Sequence, residues 1–293
     1  MLSSDQLVAF VAVMRAGNTV EASRRLLVDH STVARRISAL EATLGARLFD
    51  RSPRGFAPTE AAARLMVQAE RVESALLAAA ESVATSSAEI SGIVRLATPE
   101  IFGTAVVAPN LADLLTQHPN LLLELSPESR SISLSRREAD IAVMVRRPPR
   151  GRLITRRLAD YRIGLYAARD YVERHPAIRR VEDLAQHLFV SFIDELVPFP
   201  ELLALNQLVP TARIAFRSSS SMAQQTAVTK GLGIGALHAL VAERDAGLVR
   251  ILPELEVQRS YWLVVHADLQ RVAAIRRVID FLHEVTGRHA GLL

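Results

Sequence analysis

The sequence contains no cysteine, a single lysine and a single tryptophan, and aromatic residues make up only 5% of its 293 residues. The absence of cysteine excludes disulfides, thiolate metal ligands and cysteine nucleophiles. Nothing in the composition therefore indicates an oxidising compartment, and we expect a cytoplasmic protein.

Long apolar runs are also missing, since no stretch reaches the ~18 to 20 apolar residues that a membrane-spanning helix needs. The N-terminal sequence MLSSDQLVAFVAVMRAG has an apolar run, but acidic Asp5 lies where a signal peptide is basic, and Arg15 follows too soon. We therefore expect neither secretion nor insertion into a membrane.

Hydrophobic residues make up 49% and charged residues 23% of the chain, as in ordinary globular proteins. The length is sufficient for two or three compact units. The net charge of +4 is unevenly spread, because residues 1–58 carry eight Arg against five acidic residues, whereas residues 59–90 have an excess of Glu. The N-terminal segment thus has the highest positive charge density, which favours an anionic partner.

Residues 1–58 have the pattern of three short helices followed by a turn. Apolar residues recur at helical spacing from Leu7 to Met14, and Gly17 follows where a C-terminal cap belongs. Asn18 and Glu21 then have the spacing of a capping box, which predicts a second helix.

A third helix is predicted to begin after Asp29, a good N-cap residue, and to run to about Leu44. At 100° per residue, its core side consists of Val33, Ile37, Leu40 and Leu44. The opposite side consists of Ser31, Thr32, Arg35, Ser38 and Ala39. A helix side of small residues and arginine can approach DNA and contact base edges. The alternative is an ordinary solvated helix face.

The stretch DRSPRGFAPT follows, with Arg51 and Arg54 around a Ser-Pro and a Gly. This composition is typical of a tight turn, and a short basic hairpin beside such helices would be a wing that contacts phosphates or a minor groove. The alternative is an ordinary charged turn.

One long helix is predicted from Thr59 to about Ala88, because this stretch has no Pro or Gly and is rich in Ala, Leu, Glu and Arg. Its apolar residues are spaced alternately four and three apart, as in a coiled coil. They are Leu65, Ala69, Val72, Leu76, Ala79 and Val83. We predict pairing with a second copy of the chain; packing on the chain's own body is the alternative.

After a polar hinge, the pattern changes to alternating strands and helices, which predicts an α/β fold with largely parallel sheets. Strands are predicted at 93–97, 121–125, 141–145, 163–166, 189–193, 213–216 and 262–265. Helical segments are predicted at about 106–117, 181–185, 222–229 and 271–284. The seven strands need not form one sheet.

The N-terminal segment resembles the winged helix-turn-helix of LysR-type transcriptional regulators. The stretches that carry the resemblance are LVAFVAVMRAGNTVEASRRL, STVARRISALEATLGARLFDR and RGFAPTEAA. Further along, HPNLLLEL, READIAVMV and VTKGLGIGAL resemble the regulatory part of the same family more loosely. The family usually has Gln where this chain has His30, and Ser where it has Ala34. Because the resemblance places both positions against the bases, it implies an altered DNA preference here.

The resemblance implies an α-helical winged helix-turn-helix with a long dimerisation helix, followed by a two-lobed α/β domain of the periplasmic-binding-protein kind. The expected boundaries are 1–58 for the DNA-binding domain, 59–91 for the helix and hinge, and 92–293 for the regulatory domain. Lobe one is expected at about 92–161 and 267–293, and lobe two at about 162–266. The family also implies homodimers and frequently homotetramers.

For function, the resemblance implies sequence-specific binding to double-stranded DNA, controlled by a small-molecule effector between the lobes. The expected DNA contacts are His30, Ser31, Thr32, Arg35, Arg36, Arg51 and Arg54. The effector is expected where helix N-termini follow strands, a position suited to a carboxylate. The residues placed there are Thr98, Glu100, Ser129, Ser131, Arg146, Ser219 and Ser220. A serine at a helix start is also a common N-cap, and Glu100 would oppose an anionic effector.

Other classes of protein have less support. The eight His do not have the spacing of metal ligands, and no nucleophile motif is present. The GLGIG stretch at 231–235 does not follow a predicted strand as a dinucleotide-binding loop does, and close backbone packing explains its glycines better. We therefore expect no catalytic residue, cofactor or metal site. A solute-binding protein would share the α/β region, but it would need an export signal and would lack the basic N-terminal segment. A coiled-coil scaffold would leave the α/β region unexplained.

Overall fold

The computed structural model describes residues 2–52, 55–83, 90–127, 139–148, 153–197, 203–270 and 272–289. Contacts divide the chain into two compact units, Met1–Ala88 and Glu89–Leu293. The predicted finer boundaries, including those of the two lobes, stay predictions.

The first unit contains helices α1 (Ser4–Ala16), α2 (Thr19–Leu26), α3 (His30–Leu44) and α4 (Glu60–Val83), and strands β1 (Phe49–Ser52) and β2 (Gly55–Pro58). The predicted caps explain two of the helix ends. Gly17 ends α1 with φ 73°, and the Asn18 side chain accepts a hydrogen bond from the backbone N–H of Glu21 at 2.8 Å. Asp29 precedes α3 as predicted, but its side chain makes no capping hydrogen bond.

The three short helices pack around one apolar core. Val33, Ile37 and Leu40 of α3 have no exposed surface, as their spacing predicts. Leu44, predicted to face this core, is 37% exposed. That part of the prediction is wrong, because Leu44 is the last residue of α3, immediately before the left-handed Gly45.

The first half of helix α4 packs against this core. Ala69 is 1% exposed in the core, and Leu65 and Val72 pack against the same cluster. The Arg15 guanidinium of α1 also binds the Glu73 carboxylate with two hydrogen bonds, of 3.1 and 2.7 Å. The prediction that the whole apolar stripe faces a second chain is therefore wrong for Ala69, because its surface is already buried within its own unit.

The second half of the stripe differs. Leu76 is 43% exposed and Ala79 is exposed, whereas the side chain of Val83 lies outside the described residues. Along one helix, the described side chains of the stripe thus change from buried at Ala69 to exposed at Leu76 and Ala79.

The second unit is an α/β domain. Its strands are β3 (Gly92–Thr98), β4 (Leu121–Pro127), β5 (Ile141–Met144), β6 (Leu153–Ala168), β7 (Leu188–Ser191), β8 (Arg213–Arg217), β9 (Ile234–His238) and β10 (Leu248–His266). Its α-helices are α5 (Glu100–Phe102), α6 (Leu111–Gln117), α7 (Arg169–Arg174), α8 (Ala204–Leu208), α9 (Ser221–Thr229), α10 (Ala239–Ala242) and α11 (Ala273–Arg288). A π turn at Gly103–Val107 and a 3-10 turn at Ala108–Asn110 join α5 to α6.

The strands form one eight-stranded mixed sheet in the order β4-β3-β5-β10-β6-β9-β7-β8. The outer ladders β3–β4, β3–β5, β7–β8 and β7–β9 are parallel. Strand β10 is antiparallel to both β5 and β6, and β6 is antiparallel to β9. The predicted largely parallel sheet thus holds at each end but is wrong at the centre.

Strands β6 and β10 connect the two ends of the sheet and thereby the two lobes. They pair along almost their whole length, from Leu248 opposite Ala168 to His266 opposite Leu153. The sequence predicts only a short apolar piece of each strand, 163–166 in β6 and 262–265 in β10. Charged residues in the rest of each strand break the apolar pattern.

The GLGIG stretch leads into β9, a strand that the sequence pattern missed. A Cβ at Gly233 would lie 2.4 Å from the carbonyl oxygen of Leu188, and one at Gly235 would lie 2.6 Å from Val228 Cγ2. Close backbone packing therefore explains these glycines, as predicted.

Candidate functional site

The outer side of α3 is the first candidate surface. Ser31 and Arg35 are exposed and Thr32 is partly exposed, on the side of the helix away from the buried Val33. The helix thus presents two small hydroxyl side chains and a guanidinium to solvent on one side, and the exposed His30 is its first residue.

Arg36 is less available than predicted. Its guanidinium forms a 2.8 Å ion pair with Asp5 of α1, and its side chain is only 27% exposed. This contact joins α3 to the start of α1, so Arg36 contributes first to the packing of the two helices.

The predicted wing is an antiparallel hairpin of β1 and β2, with Phe49 opposite Pro58 and Ser52 opposite Gly55. Arg51 lies in β1, although its side chain is outside the described residues, as is the whole of Arg54. The hairpin packs against the helices through Phe49, whose ring lies 5.7 Å from that of Phe10 in α1.

A carboxylate that the sequence analysis did not assign to a site fixes the hairpin to α3. Glu41 Oε1 accepts hydrogen bonds from the backbone N–H of Leu48 at 2.7 Å and of Phe49 at 3.2 Å. Because these two residues begin β1, Glu41 sets where the hairpin leaves the helix. Its place on α3, close before a loop with free backbone donors, is a signal that could have identified it.

The second candidate site lies where lobe one meets lobe two. Glu100 begins α5 after strand β3, and Ser220 precedes α9. The hydroxyl of Ser220 donates a 2.8 Å hydrogen bond to Glu100 Oε1. The structure therefore brings together two predicted effector residues that are far apart in the sequence.

The other predicted effector residues are not gathered at this contact. Thr98 is 2% exposed. A side chain at Gly103 would collide with its Oγ1, so this hydroxyl faces the π turn that begins at Gly103. Ser219 is exposed and Arg146 is partly exposed. Ser129 and Ser131 lie outside the described residues.

Ser220 also serves as a helix cap, which was the alternative interpretation of this serine. Its Oγ accepts a hydrogen bond from the backbone N–H of Ala223 at 3.1 Å. One hydroxyl thus caps α9 with its lone pair and contacts lobe one with its proton.

Three aromatic side chains stack beside the strands that connect the lobes. The ring of Tyr161 lies 4.1 Å from that of Tyr261 and 5.0 Å from that of His238. Burial lowers the pKa of His238 to about 4, and it raises the pKa of Tyr261 well above its usual value. His238 is therefore neutral at physiological pH.

A polar pair lies one residue before Tyr161 and Tyr261 on the same two strands. Asp160 Oδ1 accepts hydrogen bonds from the Ser260 hydroxyl at 2.7 Å and from Arg157 Nε at 3.0 Å. These bonds, with the Ser260 hydroxyl as the larger cause, lower the pKa of Asp160. The ionised carboxylate joins β6 to β10 where the strands pass between the lobes.

Within the described ranges, no group of three or more His, Asp or Glu is placed to hold a metal ion. No helix in the same ranges is both long and apolar enough to cross a bilayer.

The model of the bacterial regulatory helix-turn-helix protein, lysR family, matches residues 4–63, and that of the LysR substrate binding domain matches residues 87–287. The chain belongs to the LysR family. It is 28% identical to the Mau operon transcriptional activator of Paracoccus denitrificans over 94% of each chain. It is 26% identical to the HTH-type transcriptional regulator CrgA of Neisseria meningitidis serogroup C over 98% of each chain.

Solved structures of LysR-type regulators share the fold. A full-length OxyR variant from Pseudomonas aeruginosa has a TM-score of 0.72 at 16% identity, with 97% of this chain and 98% of that chain covered. LysG from Corynebacterium glutamicum with bound effector Arg has a TM-score of 0.64 at 21% identity, with 98% and 99% covered. The predicted architecture of a helix-turn-helix followed by a two-lobed α/β domain is confirmed.

Family membership establishes this LysR-type chain as a transcriptional regulator with an effector-binding domain. Its named relatives are transcriptional regulators and not enzymes.

Proposed function

We propose that the exposed side of α3 binds the major groove of double-stranded DNA, and that a small molecule between the two lobes controls this binding. The observation that carries the proposal is the division of α3 into two sides. Val33, Ile37 and Leu40 anchor the helix in a closed core, and the opposite side exposes Ser31 and Arg35. Such a helix can enter the groove without unfolding the unit that carries it.

Within this proposal, Ser31, Thr32 and Arg35 contact base edges, and His30 lies at the entry of the helix. Arg51 and Arg54 contact the DNA backbone or the minor groove from the hairpin. Arg36 has a lesser role, because its ion pair with Asp5 competes with a phosphate for the same guanidinium.

We further propose that the chain acts in the cytoplasm as a homodimer that pairs through α4, and that two dimers form a tetramer. The exposed Leu76 and Ala79 support pairing through the second half of the helix. For the effector, the meeting of Glu100 and Ser220 between the lobes supports a site at that place.

The test is binding of the purified full-length chain to a fluorescent duplex of its own upstream region, measured by anisotropy from low to high salt. We expect the logarithm of the affinity to fall linearly with the logarithm of the salt concentration, with a slope of about −0.9 for each phosphate neutralised. A duplex of shuffled sequence is the control and should bind more weakly at every salt concentration. Absence of any salt-dependent binding would favour a solute-binding protein and contradict the proposal.

The effector is sought by screening metabolites for a rise in the melting temperature, because a ligand of the native state must stabilise that state. A compound that raises the melting temperature should also change the affinity for the upstream duplex. A compound that raises the melting temperature but leaves the affinity for the duplex unchanged binds the chain without regulating it.

A further inference from the structure

The Glu100 carboxylate makes a more extensive contact with lobe two than a single hydrogen bond. Its Oε1 accepts the Ser220 hydroxyl at 2.8 Å, and its Oε2 accepts the backbone N–H of Ser221 at 2.6 Å and of Met222 at 3.4 Å. A second contact lies beside it, since Thr104 Oγ1 is 3.8 Å from Met222 Sδ.

These donors belong to the first turn of α9, which has nine residues. The first backbone N–H groups of a helix have no partner within it, and the helix dipole makes that end attractive to an anion. Glu100 therefore places a negative charge from lobe one at the N-terminus of α9.

The hydrogen bonds of Ser220 fit this role. Its hydroxyl proton goes to Glu100, while its oxygen accepts the N–H of Ala223 at 3.1 Å. Its own backbone N–H donates to Ser218 Oγ at 3.1 Å. With the proton of Ser220 directed to Glu100, little donor capacity is left for a second carboxylate.

We propose that Glu100 is a tethered anion that occupies the N-terminus of α9, holds lobe one to lobe two, and excludes carboxylate effectors from that position. An effector that reaches Glu100 is then neutral or cationic where it meets the carboxylate, because a second anion there is repelled. This statement of ligand class rests on the proposed effector site, whereas the contact itself does not.

The experiment is chemical rescue of the full-length chain with a cavity variant. In Glu100→Ala, the donors of α9 lose their carboxylate, and we expect a melting temperature about 3 to 6 °C below that of the wild type. Sodium acetate at about 100 mM should recover about half of this loss relative to equal sodium chloride, because acetate can occupy the vacated position. Wild type should melt alike in both salts.

The matched control is Glu173→Ala, which removes an exposed carboxylate on α7 of the same unit. It should show no response that is specific to acetate. Glu100→Gln keeps the size of the side chain and loses the charge, so it should melt below the wild type without rescue by acetate.

Three results would overturn the proposal. The first is a Glu100→Ala variant that melts like the wild type, the second is a destabilised Glu100→Ala variant that acetate does not rescue, and the third is an acetate effect on the wild type as large as that on Glu100→Ala. If Glu100→Ala does not fold, a double-mutant cycle of Glu100→Gln and Ser220→Ala replaces it. Coupled residues should give non-additive losses in melting temperature, and additive losses would contradict the contact.

The rescue experiment uses neither DNA nor an effector. If the wild type fails to bind its upstream duplex but acetate rescues Glu100→Ala, the interlobe contact stands and the proposed function is contradicted. If the wild type binds DNA but Glu100→Ala shows no rescue by acetate, the proposed function stands and the proposed role of Glu100 is contradicted.

Discussion

Arg35 and Arg36 are neighbours on α3, but they have different surroundings. Arg35 is exposed on the outer side of the helix, whereas Arg36 is held by Asp5 of α1 at 2.8 Å. Position on the helix therefore separates a residue available to DNA from one engaged in packing, although both have the same chemistry.

We predict that Arg35→Ala weakens binding to the specific duplex by about 1 to 3 kcal/mol, the usual contribution of an arginine that makes two hydrogen bonds to a base. Fluorescence anisotropy on the specific duplex and on a random duplex measures the loss. Arg174→Ala, an exposed arginine of α7 that pairs with Asp170, is the control and should leave both affinities unchanged. Equal losses on the two duplexes would make Arg35 a phosphate contact.

His238 leads to a prediction about pH. Its pKa is lowered to about 4 by burial, whereas an unfolded histidine has a pKa near 6.5. Below pH ~6.5 the unfolded chain binds the proton more readily than the folded chain, so stability falls from about pH 6.5 down to about pH 4. The loss attributable to this one residue is at most ~3 kcal/mol.

Chemical denaturation at pH 7 and pH 5 measures this effect, and His238→Gln is the variant to compare. The variant should lose less stability between the two pH values than the wild type. His283→Gln replaces an exposed histidine of α11 and is the control for the removal of an imidazole. An identical pH dependence of wild type and His238→Gln would contradict the assignment.

The sequence predicts some residues of the sites and misses others for a physical reason. The outer side of α3 follows from helical periodicity, which is local. The bond of Glu100 to Ser220 joins residues from two lobes, and no local pattern records such a pair. Glu41 was missed because its partners are backbone groups, which every residue has.

At the scale of elements, α4 shows what an apolar stripe can and cannot predict. Spacing of four and three identified the buried Ala69 and the exposed Leu76 as one side of a helix. Periodicity measures that a side is apolar, but not whether the covering surface comes from the same chain. The chain's own core covers Ala69 in the first part of the stripe, whereas Leu76 in the later part is exposed.

We predict that Leu76→Glu weakens dimerisation of the full-length chain without unfolding its N-terminal unit, because it places a charge on the open part of the stripe. Sedimentation equilibrium over a range of protein concentrations measures the dimer, and circular dichroism checks the fold. Val67→Glu is the comparison, since Val67 is 52% exposed and lies nine residues earlier, about 180° around the helix. Dissociation by Val67→Glu and not by Leu76→Glu would place the dimer contact on the opposite side of α4.

At the scale of the whole molecule, the proposed dimer would present two copies of α3 to DNA. We predict that binding depends on the rotational phase of the two half-sites. Insertion of about 5 base pairs between them should abolish high-affinity binding and insertion of about 10 should restore much of it, because one turn of DNA is ~34 Å. Gel-shift titrations of the three duplexes measure this, and equal affinity for all three would contradict binding by two fixed heads.

Sequence reasoning also predicted the two-lobed arrangement, but only through the resemblance to a family. The strand pattern alone gave short apolar pieces at 163–166 and 262–265, whereas β6 has 16 residues and β10 has 19. Their polar middle parts pair with one another across the strands, as the contact of Asp160 with Ser260 shows. Pairing of this kind is set by the partner strand, and one segment of sequence does not contain it.

The two connecting strands have a mechanical consequence. Because β6 and β10 are bonded side by side between the lobes, rotation of one lobe against the other must twist a two-stranded ribbon instead of bending a flexible loop. The ladder is interrupted between Ile251 and Glu256 and again between Tyr261 and Trp262. Leu252, at the first interruption, has a left-handed φ of 44°. Relative rotation of the lobes must therefore strain the backbone hydrogen bonds that pair these two strands.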